Sequence, residues 1–223
     1  PRRLAAIVVG FVGVLIVVFP VWIAFVASTV DPATISNGKL GLMPGSHFIE
    51  NYSRVLFEGT GSTTRAHVST MLFNSLVSAL VISIGKIAIS LLSAYAIVYF
   101  RFPLRMAAFW LIFLTLMFPV EVRIYPTYKI VADLGLLDTY TGLSVPLIAS
   151  ATATLLFRQF FMPVPEELLE AAKIDAAGPV RFFKDVLLPL SRTNIAALFV
   201  ILFIYGWNQY LWPLLMVSDR DLE

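Results

Sequence analysis

Long apolar runs set apart by polar islands are the dominant pattern of this chain. Residues 4–30 and 71–99 are apolar with few interruptions, and shorter runs cover 106–120, 141–157 and 195–217. About 20 apolar residues in a helix cross the hydrocarbon core of a bilayer. The pattern therefore predicts an all-α membrane protein, with five transmembrane helices in a single transmembrane domain over 1–223. The first run is longer than the core of a signal peptide and reads as a retained helix, kinked at Pro20. Trp207, Tyr210 and Trp212 lie towards the outer end of the fifth run, where aromatic belts form.

The polar islands give the topology. Residues 31–66, rich in Gly, Ser, Thr and Asn, read as an external loop. That loop is either a mobile connector or a segment with a small packed face made by Phe48, Tyr52 and Phe57. Residues 100–105 form a short basic turn, and 121–139, with Pro126, Gly135 and Asp138, an external turn with a short surface helix. Residues 163–189 are the longest island in the second half. Pro165 suits a first helical turn, and Glu166, Glu167 and Glu170 lie near the positive end of the helix dipole. Gly178-Pro179 stops that helix, 181–188 restarts a second one, and Pro189 breaks it. The inside segments then carry Arg2, Arg3, Arg101, Arg105, Arg158, Lys173, Arg181, Lys184 and Arg192. The outside segments carry Lys39, Arg54, Arg65, Arg123, Lys129 and Arg220 over more residues, with 218–223 as an external tail. This is the asymmetry the positive-inside rule describes.

Composition narrows the chemistry. The chain is 59% hydrophobic and 13% charged, about half the charged fraction of a soluble domain, so the bilayer is its solvent. A net charge of +2 without a block of basic and aromatic residues gives no reason to expect nucleic acid. The absence of cysteine removes disulfides, thiolate chemistry and Cys-based metal sites, and the two histidines, His47 and His67, share one loop. No phosphate-binding GxxxxGK[ST] loop is present. No cofactor is assigned to this chain, and any ATP and Mg are bound by another one.

One charge lies inside an apolar run. Lys86 sits near the middle of 71–99, where a cation is costly and marks a functional position or a buried ion pair. At about 100° per residue, Ser75, Ser83, Lys86, Ser90 and Ser93 share an arc of about 80°. The serines either line a polar pathway or allow tight helix packing. Asn208 and Gln209 add amides to the fifth run, as pathway groups or as interhelical hydrogen bonds. Glu121 and Arg123, two apart beyond Pro119, either pair with each other or sit in water.

Several stretches carry a family resemblance. Glu170-Ala171-Ala172, Asp175 and Val186-Leu187-Leu188-Pro189 resemble the EAA loop of ABC importer permeases. That pattern has a glycine where Ala176 stands and an isoleucine where Val186 stands, with Gly178 two residues beyond. Without the resemblance, 166–173 is a generic amphipathic helix. The stretch 205–214, YGWNQYLWPL, and 136–140, LLDTY, are similar to carbohydrate-uptake permeases. The stretches 118–127 and 149–161 resemble permease subunits of sn-glycerol-3-phosphate importers. The resemblance implies a type I ABC importer permease in the bacterial inner membrane, multi-pass, with six spans and both ends inside. A sixth span is accordingly expected after residue 223. It also implies a sister permease, two ATPase subunits and a periplasmic substrate-binding protein as partners.

In that frame Glu170, Ala171, Ala172, Asp175, Gly178 and Pro189 are expected to couple the chain to the ATPase. Lys86, Arg123, Ser83, Ser90, Asn208 and Gln209 are expected along the substrate pathway, the two cations attracting a phosphorylated cargo. A neutral oligosaccharide is the alternative cargo. A secondary transporter is a more distant reading, opposed by the lack of any acidic residue inside a span.

Overall fold

The computed structural model describes residues 2–58 and 67–218, and among these every regular element is helical. Arg65, Arg220 and most of the expected external tail lie outside the described residues. The chain divides into two compact units, residues 1–69 and 70–223.

In the first unit, α1 (Arg2–Ser28) runs through Pro20 as one helix. It is apolar all round and almost wholly exposed, as befits a helix whose surroundings are lipid or protein rather than water. The following segment folds back on its end with two short helices, α2 (Pro32–Ser36) and α3 (Phe48–Ser53). Asn51 clamps this return: its Nδ2 donates to the carbonyls of Ser28 at 3.0 Å and Val30 at 2.9 Å. Thr29 is buried and accepts from the Gly45 amide at 2.7 Å. Phe48 stacks near Tyr52, with centroids 4.4 Å apart, and contacts Phe25. The small packed face thus exists, but it is built from Phe25, Phe48 and Tyr52, while Phe57 is exposed.

The second unit is arranged around α4 (Val68–Tyr99). Leu104, in a left-handed conformation, turns the chain into α5 (Arg105–Leu114), which ends in a tighter turn over Thr115–Met117. Next come α6 (Val120–Asp133), α7 (Tyr140–Ser144) and α8 (Ala151–Phe161). Residues 163–189 fold as α9 (Glu166–Ile174), α10 (Pro179–Phe182) and a wider turn over Phe183–Leu187. The wider turn leads through α11 (Leu188–Leu190) into α12 (Arg192–Trp207), and α13 (Leu211–Met216) closes the described chain.

Several apolar runs are not single straight helices. Residues Ala6–Ser28 of α1 and all of α4 are each long and apolar enough to cross a bilayer alone. The run 141–157 is broken: Tyr140–Leu147 and Ala151–Phe161 meet at 46°. Pro146 within the preceding turn lacks an N–H, and Ser150 caps α8 by accepting from the Ala153 amide at 3.3 Å. The run 195–217 is interrupted at residues 208–210, between α12 and α13. Pro179–Leu190 leaves α12 at 72°, so the second helix of the polar island does not continue the span's axis.

Two apolar cores hold the unit. One gathers Leu91, Ala94 and Tyr95 of α4 with Phe157, Phe161, Phe182, Leu187 and Leu198. The other joins Val131, Leu143, Trp212 and Met216. There the Trp212 indole donates to the Leu143 carbonyl at 3.1 Å. Asp138 accepts from both the amide and the hydroxyl of Ser218, at 2.5 Å and 2.8 Å. Between the cores, the helices approach closely. A Cβ on Gly206 would stand 3.1 Å from the Ala79 Cα, so α4 and α12 meet backbone to backbone.

Candidate functional site: a buried lysine and a projecting helical turn

Polar side chains on α4 are used at three levels along its length. Near its start, the buried Asn74 accepts from the Tyr140 hydroxyl at 2.5 Å. Past its middle, Ser90 is fully buried and donates to the Ser150 carbonyl at 3.2 Å, at the break between α7 and α8. Near its end, the Tyr95 hydroxyl donates to the Pro179 carbonyl at 2.9 Å, reaching across 84 residues of sequence.

Ser83, also fully buried, bonds back to the Ala79 carbonyl one turn earlier. The expectation that Ser83 and Ser90 hold cargo hydroxyls is therefore corrected. Both hydroxyls face packed protein and are satisfied by backbone carbonyls, which is the helix-packing use of serine. Ser75 is exposed and Ser93 partly so, and neither takes part in that packing.

Lys86 is different. It is only 6% exposed, and no carboxylate among the described residues lies within ion-pair distance. Its Nζ sits 3.7 Å from the centroid of the Tyr205 ring on α12. A desolvated cation on an aromatic face gains about 2 kcal/mol from the ring quadrupole. Arg123, exposed on the first turn of α6, is near enough for its charge to act on Lys86. The Glu121 side chain, an alternative partner for Arg123, lies outside the described side chains.

Gln209 donates to the Tyr205 carbonyl at 3.1 Å and so braces the residue under Lys86. Asn208 is the C-cap of α12, its amide N–H bonded to the Ile204 carbonyl and its side chain exposed. The structure thus brings together Lys86, Tyr205, Gln209 and the charge of Arg123. Tyr205 was missed as a functional residue although it opens the YGWNQYLWPL stretch. Nothing in the periodicity of either helix alone reveals that it lies under Lys86.

The polar island folds as a compact projection. Ala172, Phe182 and Leu187 point into the apolar core, and Tyr95 and Tyr99 pack on Phe183 and Phe182 with centroids 5.0 Å and 5.4 Å apart. Glu170, Ala171, Asp175, Gly178 and Pro189 are exposed, whereas Ala172 is buried and faces inward, away from any docking partner. The tip carries two bare aliphatic side chains, Ile174 at 85% and Val180 at 80% exposure.

The turn has a recognisable closing motif. The Ala176 amide bonds to the Lys173 carbonyl at 3.0 Å and the Ala177 amide to the Ala172 carbonyl at 2.8 Å, the two bonds of a Schellman cap. Ala176 accordingly has φ +52°. The same pair of bonds ends α6, with Gly135 at φ +67° in the equivalent place. Ala176 therefore keeps the left-handed turn without glycine. Gly178 does not supply it, because its backbone is extended at φ −68°.

The sequence profile of the family described as binding-protein-dependent transport system inner membrane component matches residues 86–223. The sn-glycerol-3-phosphate transport system permease protein UgpE of Rhizobium meliloti strain 1021 is 61% identical over 212 residues, covering 95% of this chain and 75% of that protein. The protein of the same name from Agrobacterium fabrum strain C58 is 58% identical over 221 residues, covering 99% of this chain and 78% of its own length. A solved bacterial ABC transporter involved in the import of the acidic polysaccharide alginate has the same fold. It superimposes with a TM-score of 0.84 at 23% identity, over 99% of this chain and 75% of that one.

An L-residue in the left-handed region costs about 1 kcal/mol relative to glycine. Ala176→Gly is expected to raise the unfolding midpoint of the purified protein and to slow proteolysis within 163–189. A lowered midpoint with faster cleavage would show that Ala176 does not hold the left-handed turn.

Proposed function

This chain belongs to the family of binding-protein-dependent transport system inner membrane components, and we propose that it carries sn-glycerol-3-phosphate or a related glycerophosphodiester by alternating access. It is a transport permease subunit of an ABC importer rather than a catalytic enzyme. The proposed assembly pairs it with a sister permease, two ATPase subunits that bind ATP and Mg, and a periplasmic substrate-binding protein. In this reading it crosses the bacterial inner membrane five times within these residues. The crossings are α1, α4, α5 with its closing turn, the bent pair α7–α8, and α12.

One structural observation supports the cargo, alongside the names of the relatives. Lys86 is a membrane-buried cation held on an aromatic ring, with no carboxylate among the described residues within ion-pair distance. A structural ion pair would have used a carboxylate, and a neutral sugar needs no cation. A phosphate brings up to two negative charges into a low-dielectric cavity, and a fixed ammonium offsets that desolvation. Arg123 would act nearer the outer mouth, where its planar guanidinium can hold two phosphate oxygens. Asn208 and Gln209 border the same region, and the exposed Asn208 amide is free to take a cargo hydroxyl.

Coupling is proposed to run through the projecting turn. Glu170 and Asp175 present acceptors beside the bare Ile174 and Val180, a mixed polar and apolar tip suited to a cleft on an ATPase. Ala171, Gly178 and Pro189 shape that surface. The turn is rigidly joined to α4 through Tyr95, Tyr99 and the Phe182–Phe183 pair.

Lys86→Met and Arg123→Met should each lower uptake of sn-glycerol-3-phosphate by about tenfold, the loss expected for one charge-assisted hydrogen bond, while assembly and basal ATPase activity persist. Undiminished uptake in both variants would leave a neutral cargo as the better reading. Glu170→Lys should leave the permease in the membrane with its partners but remove substrate-stimulated ATP hydrolysis. Normal stimulation in that variant would remove the projecting turn from the coupling path.

A further inference from the structure

A groove of about 570 Å³ lies at the elbow between α11 and α12. Its lining is apolar along Leu188, Ile195, Ala196, Phe199 and Val200, but Lys184 and Arg192 stand at one end. A second groove of about 400 Å³, wholly apolar, continues from it between α4 and α12, sharing Leu188, Ile195 and Phe199.

We propose that this groove binds one anionic phospholipid, its phosphate on Lys184 and Arg192 and an acyl chain along α12. Three observations favour that occupant. First, charge is segregated. Among the described residues neither cation is in an ion pair, the nearby Asp185 pairs with Arg181 at 3.4 Å, and α12 has no acidic residue in its first turn. No carboxylate lines either groove.

Second, the dimensions fit. Arg192 to Val200 spans eight helical steps, about 12 Å, close to the depth of one leaflet's hydrocarbon. Third, the 72° elbow sets both cations where the charged helix of the polar island meets the apolar α12, the level at which a headgroup lies. The charge asymmetry of the chain puts this end inside, where anionic headgroups are recognised by basic pockets between helices.

The test uses the assembled transporter in phosphatidylcholine vesicles holding a minor fraction of photoreactive phosphatidylglycerol or, in a parallel arm, photoreactive phosphatidylcholine. Labelled peptides are then mapped. The proposal predicts phosphatidylglycerol labelling concentrated at 195–200. The same chain with a choline headgroup should label it about 25-fold less, since each of the two cations adds about fivefold to anionic lipid affinity. Lys184→Gln with Arg192→Gln should reduce the phosphatidylglycerol signal to the choline level. Ala196→Trp, which fills the groove and keeps both cations, should abolish the labelling. Equal labelling by both probes would mean ordinary lipid contact and would overturn the proposal. So would labelling confined to a partner chain, which would show that a protein covers the groove. Neither result depends on which cargo is carried.

Discussion

A helix that crosses a bilayer has no water to satisfy its polar side chains, so each must find a partner inside the protein or serve a purpose that offsets its cost. The architecture of residues 70–218 follows from applying that constraint to α4. Asn74, Ser90 and Tyr95 each bond to a different later segment: Tyr140, the carbonyl of Ser150 and the carbonyl of Pro179. These three bonds fix the second core, the break in the α7–α8 pair and the projecting turn against one continuous rod. Apolar packing supplies the bulk of the contact, but hydrocarbon surfaces slide in lipid, and the polar bonds set the register.

Lys86 is the exception on this rod. Its ammonium rests on the ring of Tyr205, the neighbour of the Gly206 that meets α4 at Ala79, and no counter-charge lies beside it among the described residues. About nine residues further along the same rod, Tyr95 holds the turn that bears Glu170 and Asp175. A shift of α4 on engaging an anion at Lys86 would be carried to that turn without any intervening loop. The two proposed sites thus share one helix, through which the proposed coupling would act by position alone.

Much of this was legible in the sequence. Hydropathy gave the long helices, because α1 and α4 are apolar over their full length. The island 163–189 was legible as helix, turn and helix from Pro165, Gly178-Pro179 and Pro189. What composition does not carry is direction. The runs 141–157 and 195–217 are apolar enough for spans, yet one bends at residues 148–150 and the other stops at 208–210.

The serine stripe was visible by periodicity, but periodicity cannot say whether a face meets protein or an aqueous path, and Ser83 and Ser90 meet protein. The turn at Ala176 looked displaced to Gly178, since alanine disfavours positive φ. The Schellman bonds hold it there nonetheless. Tyr95 and Tyr205 act across 84 and 119 residues of sequence respectively, so no local pattern marks them.

Lys86 is proposed to be kept in the membrane for its charge and against stability, whereas Ser90 is kept for packing. The unfolding midpoint of the purified transporter in a fixed detergent tests this directly. Lys86→Met removes a desolvated cation and its ring contact together, and a desolvation penalty of about 3 kcal/mol outweighs about 2 kcal/mol of cation–π attraction. The account predicts a midpoint at or above that of the unsubstituted protein for Lys86→Met, and a lower one for Ser90→Ala. A clear drop for Lys86→Met, as large as that for Ser90→Ala, would make Lys86 a structural residue and contradict the account.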